Sequence, residues 1–139
     1  MPYSTHKFIN GEKYHVVSKA KSRMQLFWVE SDYYKFMRMA ERYSAGRVRI
    51  IAFGIVKNHC HFLLEQVCGG GISKFINILT GQYSRQKGYP GGLFRSPFWA
   101  ERIGGDDHYY SVLAYVLRNP GKHKMVNLGR DGRSGLFPG

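Results

Sequence analysis

The chain has 139 residues, of which 43% are hydrophobic, so it can form one domain with a packed core, and global disorder is excluded. The 21 Lys and Arg residues outnumber the 9 Asp and Glu residues, which leaves a net charge of +12. This excess of positive charge, together with an aromatic content of 15%, favours a nucleic acid as the partner.

The first half of the chain predicts a strand, a helix and two further strands. β-branched residues indicate a strand over Lys13–Lys19, and Ser31 is the candidate N-cap of a helix that ends before Gly46. The apolar residues of this helix have the spacing of a buried face: Tyr33, Phe36, Met37 and Ala40. A second strand is predicted over Arg47–Val56, and a two-residue turn leads from it into the third.

The second half predicts two helices around a fourth strand. The third strand should end near Gln66, and the helix after it has a buried face made of Ile72, Phe75, Ile76, Leu79 and Tyr83. The fourth strand is predicted over Pro97–Ile103. A third helix starts near Asp106 and ends at Asn119 or before, because Pro120 disfavours helical geometry in its predecessor. This order predicts an α+β fold: a ferredoxin-like β-α-β-β-α-β antiparallel sheet with an additional C-terminal helix.

The predicted elements form a single domain over residues 1–126, and a basic, glycine-rich and loosely ordered tail is expected over 127–139. The chain has two cysteines and no pattern of a secretory signal, so we expect reduced thiols in a cytoplasmic protein. No apolar run approaches the roughly 20 residues that span a bilayer.

The segment VKNHCHFLLEQ, Val56–Gln66, places two histidines on a predicted strand. Because side chains on a strand alternate between its faces, His59 and His61 share one face with Leu63 and Glu65. The opposite face carries residues that suit the core: Cys60, Phe62 and Leu64. The two imidazoles are then neighbours and can bind one cation together.

The residues nearby narrow the identity of such a cation. A structural zinc site would need a closed nitrogen and sulfur shell, but Cys60 faces away from the histidines and Cys68 lies in a glycine turn. A zinc deaminase would need a PCxxC motif, which the sequence lacks. Two imidazoles with an amide or carboxylate oxygen and open positions would suit Mg²⁺ or Mn²⁺ holding a phosphate.

The third predicted helix carries a second group of polar residues. Tyr115 and Asn119 lie one turn apart along this helix and about 40° apart around its axis. His108 lies on the same line two turns earlier. The apolar stripe beside them, which should face the sheet, consists of Tyr109, Val112, Leu113 and Val116. Taken alone, this helix indicates no more than a partly buried tyrosine and an Asn at a helix end.

The two segments together resemble the signatures of a known family. The strand motif NHCH, residues 58–61, and the helix motif YVLRNP, residues 115–120, are similar to those of the HUH-type single-tyrosine transposases, most closely the REP-associated tyrosine transposases of the IS200-like group. The likeness extends over roughly Lys7 to Val126. Cys60 departs from the family pattern, which has a bulkier hydrophobic residue there, and Gly121 stands where a β-branched residue is common.

The resemblance implies a metal-dependent endonuclease and strand transferase that recognises DNA hairpins and cleaves single strands through a 5′-phosphotyrosine intermediate. Tyr115 would be the nucleophile, and His59, His61 and Asn119 would hold Mg²⁺ or Mn²⁺. Two further residues are secondary candidates for the site: His108 and Lys122. The protein would act at the bacterial nucleoid as a monomer or a homodimer, on REP-like or insertion-sequence ends.

Basic and aromatic residues that alternate along the chain are the expected DNA-binding residues, because cations neutralise phosphates and rings stack on bases. They are Lys13, Lys19, Lys21, Arg23, Arg85, Lys87, Tyr89, Phe94, Arg95, Trp99 and Arg102. Two alternatives stay open: a catalytically inactive ferredoxin-like nucleic-acid-binding protein, and a metal-independent ribonuclease that uses His and Tyr as acid and base.

Overall fold

Strands and helices alternate along the chain in a computed structural model, which describes residues 8–118 and the backbone of 123–127 and 134–138. The elements are β1 (Lys13–Lys19), α1 (Glu30–Ser44), β2 (Val48–Val56), β3 (His59–Gln66), α2 (Gly71–Gln86), β4 (Trp99–Arg102), α3 (Asp106–Arg118), β5 (His123–Asn127) and β6 (Ser134–Pro138). Within these residues, no helix is long and apolar enough to cross a bilayer.

The strands form one antiparallel sheet in the order β4-β1-β3-β2-β5-β6. Its first four strands have the order of a ferredoxin-like β-α-β-β-α-β unit, so the predicted α+β fold is confirmed. Strands β5 and β6 extend the sheet beyond β2 and were not predicted. Strand β6 lies within the segment expected to be a loosely ordered tail, whose four glycines obscure a strand pattern; the division at residue 126 stays a prediction.

The sheet separates two hydrophobic cores of unequal size. Helices α1 and α2 cover one face, and the large core there includes Cys60, Phe62 and Leu64 of β3, as strand alternation predicted. Among the described helices, only α3 lies on the other face. The small core beneath it consists of Ile51, Ala52, Leu63, Ile103, Val112 and Val116. Among the residues whose side chains the structure describes, few buried side chains therefore hold α3 in position.

The start of α1 differs from the prediction. The helix begins at Glu30, its N-cap residue is Val29, and Ser31 lies inside the first turn. The side chain of Asp32 satisfies the free amides instead, since its Oδ2 accepts the N–H groups of Trp28 at 2.9 Å and Val29 at 3.2 Å. Burial alone would raise the pKa of Asp32, but these bonds and one from Lys87 hold it below 3.8.

Candidate active site

Helix α3 and strand β3 bring the predicted nucleophile and the histidine pair together. The Tyr115 ring centroid lies 5.1 Å from that of His61, and the two planes meet at 81°. The rings of His59 and His61 are 4.6 Å apart, as expected for neighbours on one face of a strand. Tyr115 remains 48% exposed although it contacts a buried histidine. Its ring can therefore be reached from solvent at the edge of the pair.

A third histidine, His15 of β1, completes this cluster. His15 Nε2 is 3.3 Å from His61 Nδ1, and both residues are buried. The rings of Trp99 and Tyr115 meet His15 edge to face, with centroid distances of 5.2 and 5.8 Å. His15 is held there by the sheet, because its backbone pairs with Leu63 of β3 on one side and Glu101 of β4 on the other.

Each histidine of the pair uses its Nδ1 for a contact within the protein. His61 Nε2 is buried and has no hydrogen-bond partner among the described residues. His59 Nδ1 lies 2.8 Å from the Oδ1 of Asn58. An amide oxygen only accepts hydrogen bonds, so His59 carries its proton on Nδ1 and its Nε2 is unprotonated.

The surroundings keep all three histidines uncharged at neutral pH. Burial, together with the smaller effects of His59, His15 and Lys19, lowers the pKa of His61 to about 3. Burial and Lys19 also lower the pKa of His59. Burial lowers the pKa of His15 more strongly than the carboxylate of Glu101 raises it. Neutral imidazole is the form that binds a metal ion.

These features fit a divalent cation held by His59 and His61, because a buried, unpartnered imidazole nitrogen has the chemistry of an unfilled ligand. Among the described residues, no group of three or more His, Cys, Asp and Glu side chains is arranged to hold a metal ion. The further ligand expected from the sequence, Asn119, and the secondary candidate Lys122 lie outside the described residues.

An open cleft with a volume of about 920 Å³ adjoins the cluster, and we call it the basic cleft. His15, His59, His61 and Tyr115 line one part of it. Five of the predicted DNA-binding residues line the remainder: Lys19, Lys21, Arg23, Arg95 and Trp99. All four cations are exposed. The cleft therefore offers positive charge beside the candidate nucleophile.

Two other predicted DNA-binding residues have structural partners instead. Phe94 is only 7% exposed and packs in the large core against Phe36 and Tyr83, so its ring cannot stack on a base. The Nζ atom of Lys87 lies 2.7 Å from the buried carboxylate of Asp32, which neutralises it. Phe94 is thus corrected to a core residue, whereas Lys87 forms one half of an ion pair and its DNA contact stays a prediction.

The remaining predicted contacts lie away from the basic cleft. Arg102 pairs with Glu12 at 3.2 Å, and Lys13 lines a separate groove near the start of α3. Arg85 is exposed at the end of α2, and Tyr89 is 40% exposed beside Trp28, with parallel rings 6.2 Å apart. These residues do not converge on the histidine pair.

His108 also lies outside the histidine cluster. Its Nδ1 accepts the backbone N–H of Gly104 at 2.8 Å, and its Nε2 faces a carboxylate oxygen of Glu101 at 3.5 Å. These contacts fasten the first turn of α3 to the loop before it. His108 therefore anchors the helix that carries Tyr115.

Sequence reasoning missed two residues of the site, His15 and Asn58. The sequence predicts His15 only as a residue of the first strand, and the structure confirms that position. The ferredoxin-like strand order pairs β1 with β3, and alternation then places His15 on the same face as His61. The sequence predicts Asn58 as a turn residue, and its contact with His59 is visible only in the structure.

Comparisons with known proteins identify the family and agree with the fold. The family described as transposase IS200-like matches residues 9–118. A solved structure of a REP-associated tyrosine transposase bound to a REP hairpin is similar, with a TM-score of 0.71 and 19% identity over 86% of this chain and 73% of that one. A crystal structure from Deinococcus radiodurans R1, described as a transposase candidate, is also similar. Its TM-score is 0.51 and its sequence identity 16%, and the match covers 87% of this chain and 98% of that one. None of the curated proteins matches. The chain belongs to the IS200-like transposase family.

Proposed function

We propose that this transposase is a metal-dependent endonuclease and strand transferase that binds a DNA hairpin and cleaves the adjoining single strand with Tyr115. One observation carries the proposal. The Tyr115 ring lies 5.1 Å from the His61 ring and is half-exposed at the wall of the basic cleft. A strand in this cleft would place its phosphates between the tyrosine, the histidines and four cations.

The reaction we propose is a transesterification. The Tyr115 oxygen forms a bond to the scissile phosphorus, and the bond from phosphorus to the 3′-oxygen breaks. The phenol loses its proton and the 3′-oxygen gains one, so the products are a 5′-phosphotyrosine and a free 3′-hydroxyl. Each bond formed replaces one of similar energy. The step therefore needs no nucleotide cofactor and can be reversed by another 3′-hydroxyl, which is strand transfer.

His59 and His61 would hold the cation, Mg²⁺ or Mn²⁺, with Asn119 as the proposed additional ligand. The bound cation would polarise the phosphate and stabilise charge on the leaving 3′-oxygen. The chain itself supplies neutral imidazoles, since burial lowers the pKa of both histidines. Asn58 fixes the tautomer of His59, so its Nε2 is unprotonated before any cation binds.

The basic cleft would bind the single-stranded flank. Lys19, Lys21, Arg23 and Arg95 would neutralise phosphates, while the partly exposed Trp99 ring would contact a base or sugar. The hairpin as the recognised element rests on the similar structure, which holds a REP hairpin. DNA as the substrate would place the protein in the cytoplasm, at the nucleoid.

A second surface would extend the DNA contact. The rings of Trp28 and Tyr89 are parallel within 3° and both are about 40% exposed, as expected of rings that stack on bases. Arg85 is exposed nearby along the chain. Lys87 lies over the Trp28 ring at 4.9 Å and would contribute to this surface mainly by fixing that ring.

A single chain would suffice for cleavage, because the tyrosine and the histidine pair come together within one chain. Mixing Tyr115→Phe with His61→Ala protein tests this point. We expect the mixture to stay inactive, as each chain lacks one half of its own site. Recovery of cleavage in the mixture would show instead that a homodimer exchanges α3 between its subunits.

The main experiment measures a covalent adduct. Purified protein is incubated with Mn²⁺ and hairpin oligonucleotides that carry single-stranded flanks, and the products are separated under denaturing conditions. A label at the 3′ end of the oligonucleotide should stay with the protein, whereas a label at the 5′ end should leave with the free 3′-hydroxyl fragment. Tyr115→Phe should abolish the adduct.

Tyr110→Phe is the matched control, since Tyr110 is an exposed tyrosine of the same helix and should not be needed. Wild-type protein that binds hairpins but forms no adduct on any flanked hairpin would favour an inactive binding protein. Cleavage of RNA in a chelator, with no adduct, would favour the metal-independent ribonuclease. Retention of the 5′ label would reverse the proposed polarity.

A further inference from the structure

The contact between His15 and His61 has a defined geometry. Their nearest nitrogens are 3.3 Å apart, their ring centroids are 5.6 Å apart, and their planes differ by 21°. The centroid distance exceeds the nitrogen distance by about one ring diameter. The rings are therefore nearly coplanar and meet nitrogen to nitrogen, which is the arrangement of a hydrogen bond and not of a face-to-face stack.

Only one proton can lie between the two nitrogens when both rings are neutral. The nitrogen that carries this proton, His15 Nε2 or His61 Nδ1, therefore fixes the tautomers of both rings. If His15 Nε2 donated, His61 would carry its proton on Nε2 and could not bind a cation through that atom. If His61 Nδ1 donates, His61 Nε2 keeps its lone pair. The direction of one hydrogen bond thus decides whether His61 acts as a ligand or as a proton donor.

The neighbouring histidine indicates which direction applies. The Nδ1 of His59 faces an amide oxygen at 2.8 Å, which can only accept, so His59 presents an unprotonated Nε2. His61 also uses its Nδ1 within the protein, and its Nε2 is buried without a partner. If His61 Nε2 carried the proton, this buried N–H group without an acceptor would destabilise the fold. An unprotonated Nε2 can instead bind a cation.

We propose that His15 is a positioning residue: its Nε2 accepts the Nδ1 proton of His61 and keeps His61 Nε2 unprotonated for a divalent cation. This inference rests on the proposed function for the cation itself. The role suits a rigid group, and His15 is 8% exposed, held by strand pairing on both sides and contacted by Trp99 and Tyr115. Such partners of metal ligands orient the ring and fix its tautomer.

Two substitutions of similar size separate an acceptor from packing. His15→Gln keeps an oxygen that can accept the His61 proton, while His15→Met has a similar length without a comparable acceptor. Calorimetric titration with MnCl₂ alone should show affinity about 10-fold to 100-fold lower for His15→Met than for the wild type. His15→Gln should recover most of this loss. Thermal denaturation confirms that both variants are folded.

The wild-type protein without metal provides an independent measurement. Long-range proton–nitrogen correlation NMR of the histidine rings should show the proton of His61 on Nδ1 and that of His15 also on Nδ1. A proton on His61 Nε2 would overturn the inference, as would Mn²⁺ affinity in His15→Met within about twofold of the wild type, or His15→Gln as weak as His15→Met. A wild type that binds no Mn²⁺ would refute the proposed cation, and the NMR result would still decide the role of His15.

Discussion

The small core under α3 should make the position of Tyr115 easier to disturb than the rest of the fold. Val116 of α3 is fully buried in this core, and Val116→Ala removes two methyl groups there. At about 0.8 kcal/mol for each buried carbon, plus a term for the cavity, the cost is about 2 kcal/mol. Because α3 has few other buried contacts with the described residues, we expect this loss to appear as local opening of the helix.

Hydrogen exchange of backbone amides measures that opening. In Val116→Ala, the amides of α3 and the slowest amides of the domain should both exchange up to about 30-fold faster, which corresponds to about 2 kcal/mol, because the substitution destabilises the folded state from which both openings start. Val48→Ala is the matched control, since Val48 is 5% exposed in the large core. It should accelerate the slowest amides of the whole domain and leave local opening of α3 unchanged. In Val48→Ala, acceleration of the α3 amides as large as that of the slowest amides would show that α3 opens only when the whole domain unfolds, and would refute separate opening of α3.

Three further predictions concern the cation, an ion pair and the thiols. At 100 times its dissociation constant, Mn²⁺ should raise the unfolding free energy of the wild type by about 2.7 kcal/mol in thermal denaturation, and His61→Ala should lose this gain. An equal increase in the wild type and in His61→Ala would contradict a cation site at His61. Asp32→Asn should cost about 2 kcal/mol at neutral pH, because charged hydrogen bonds are lost. Since the pKa of Asp32 is lowered in the folded protein, the unfolding free energy of the wild type, measured by urea denaturation, should exceed that of Asp32→Asn at neutral pH. The difference should shrink as the pH falls below 3.8, and a difference independent of pH would contradict this prediction. A thiol reagent should modify exposed Cys68 in the folded protein and reach buried Cys60, whose pKa burial raises, only after unfolding; two fast thiols in the folded protein would count against it.

The sequence predicted the sheet and the helix faces because their signals are local. Apolar residues at helical spacing marked α2, whose five predicted core residues are all buried. Strand alternation sorted β3 correctly, with Cys60 in the large core and Leu63 in the small one. The N-cap of α1 was wrong because Asp32, two residues after the true helix start, can reach back to the same free amides. A local pattern does not distinguish these two ways of capping a helix.

The site could be predicted only in part, because it is formed by contacts between residues that are far apart in the sequence. The approach of Tyr115 to His61 followed from family resemblance, since no pattern on α3 or β3 alone specifies that distance. The role of Phe94 was missed because an aromatic residue among arginines has the same local pattern whether it is exposed or packs against Phe36. His15 was missed for the opposite reason. Its pattern was an ordinary strand, and its chemistry comes from a residue 46 positions away.

Lys19 connects substrate binding with the state of the histidines. It is exposed in the basic cleft, where it would attract phosphate, and after burial and the neighbouring histidines it also lowers the pKa of His61. A cleft that draws in DNA by positive charge must itself disfavour protonated imidazoles, because like charges repel. The same charge that favours the proposed substrate thus keeps the proposed ligands neutral. Removing the charge of Lys19 should therefore weaken the attraction of phosphate. His61 should nevertheless stay unprotonated, because burial, the largest cause, still lowers its pKa.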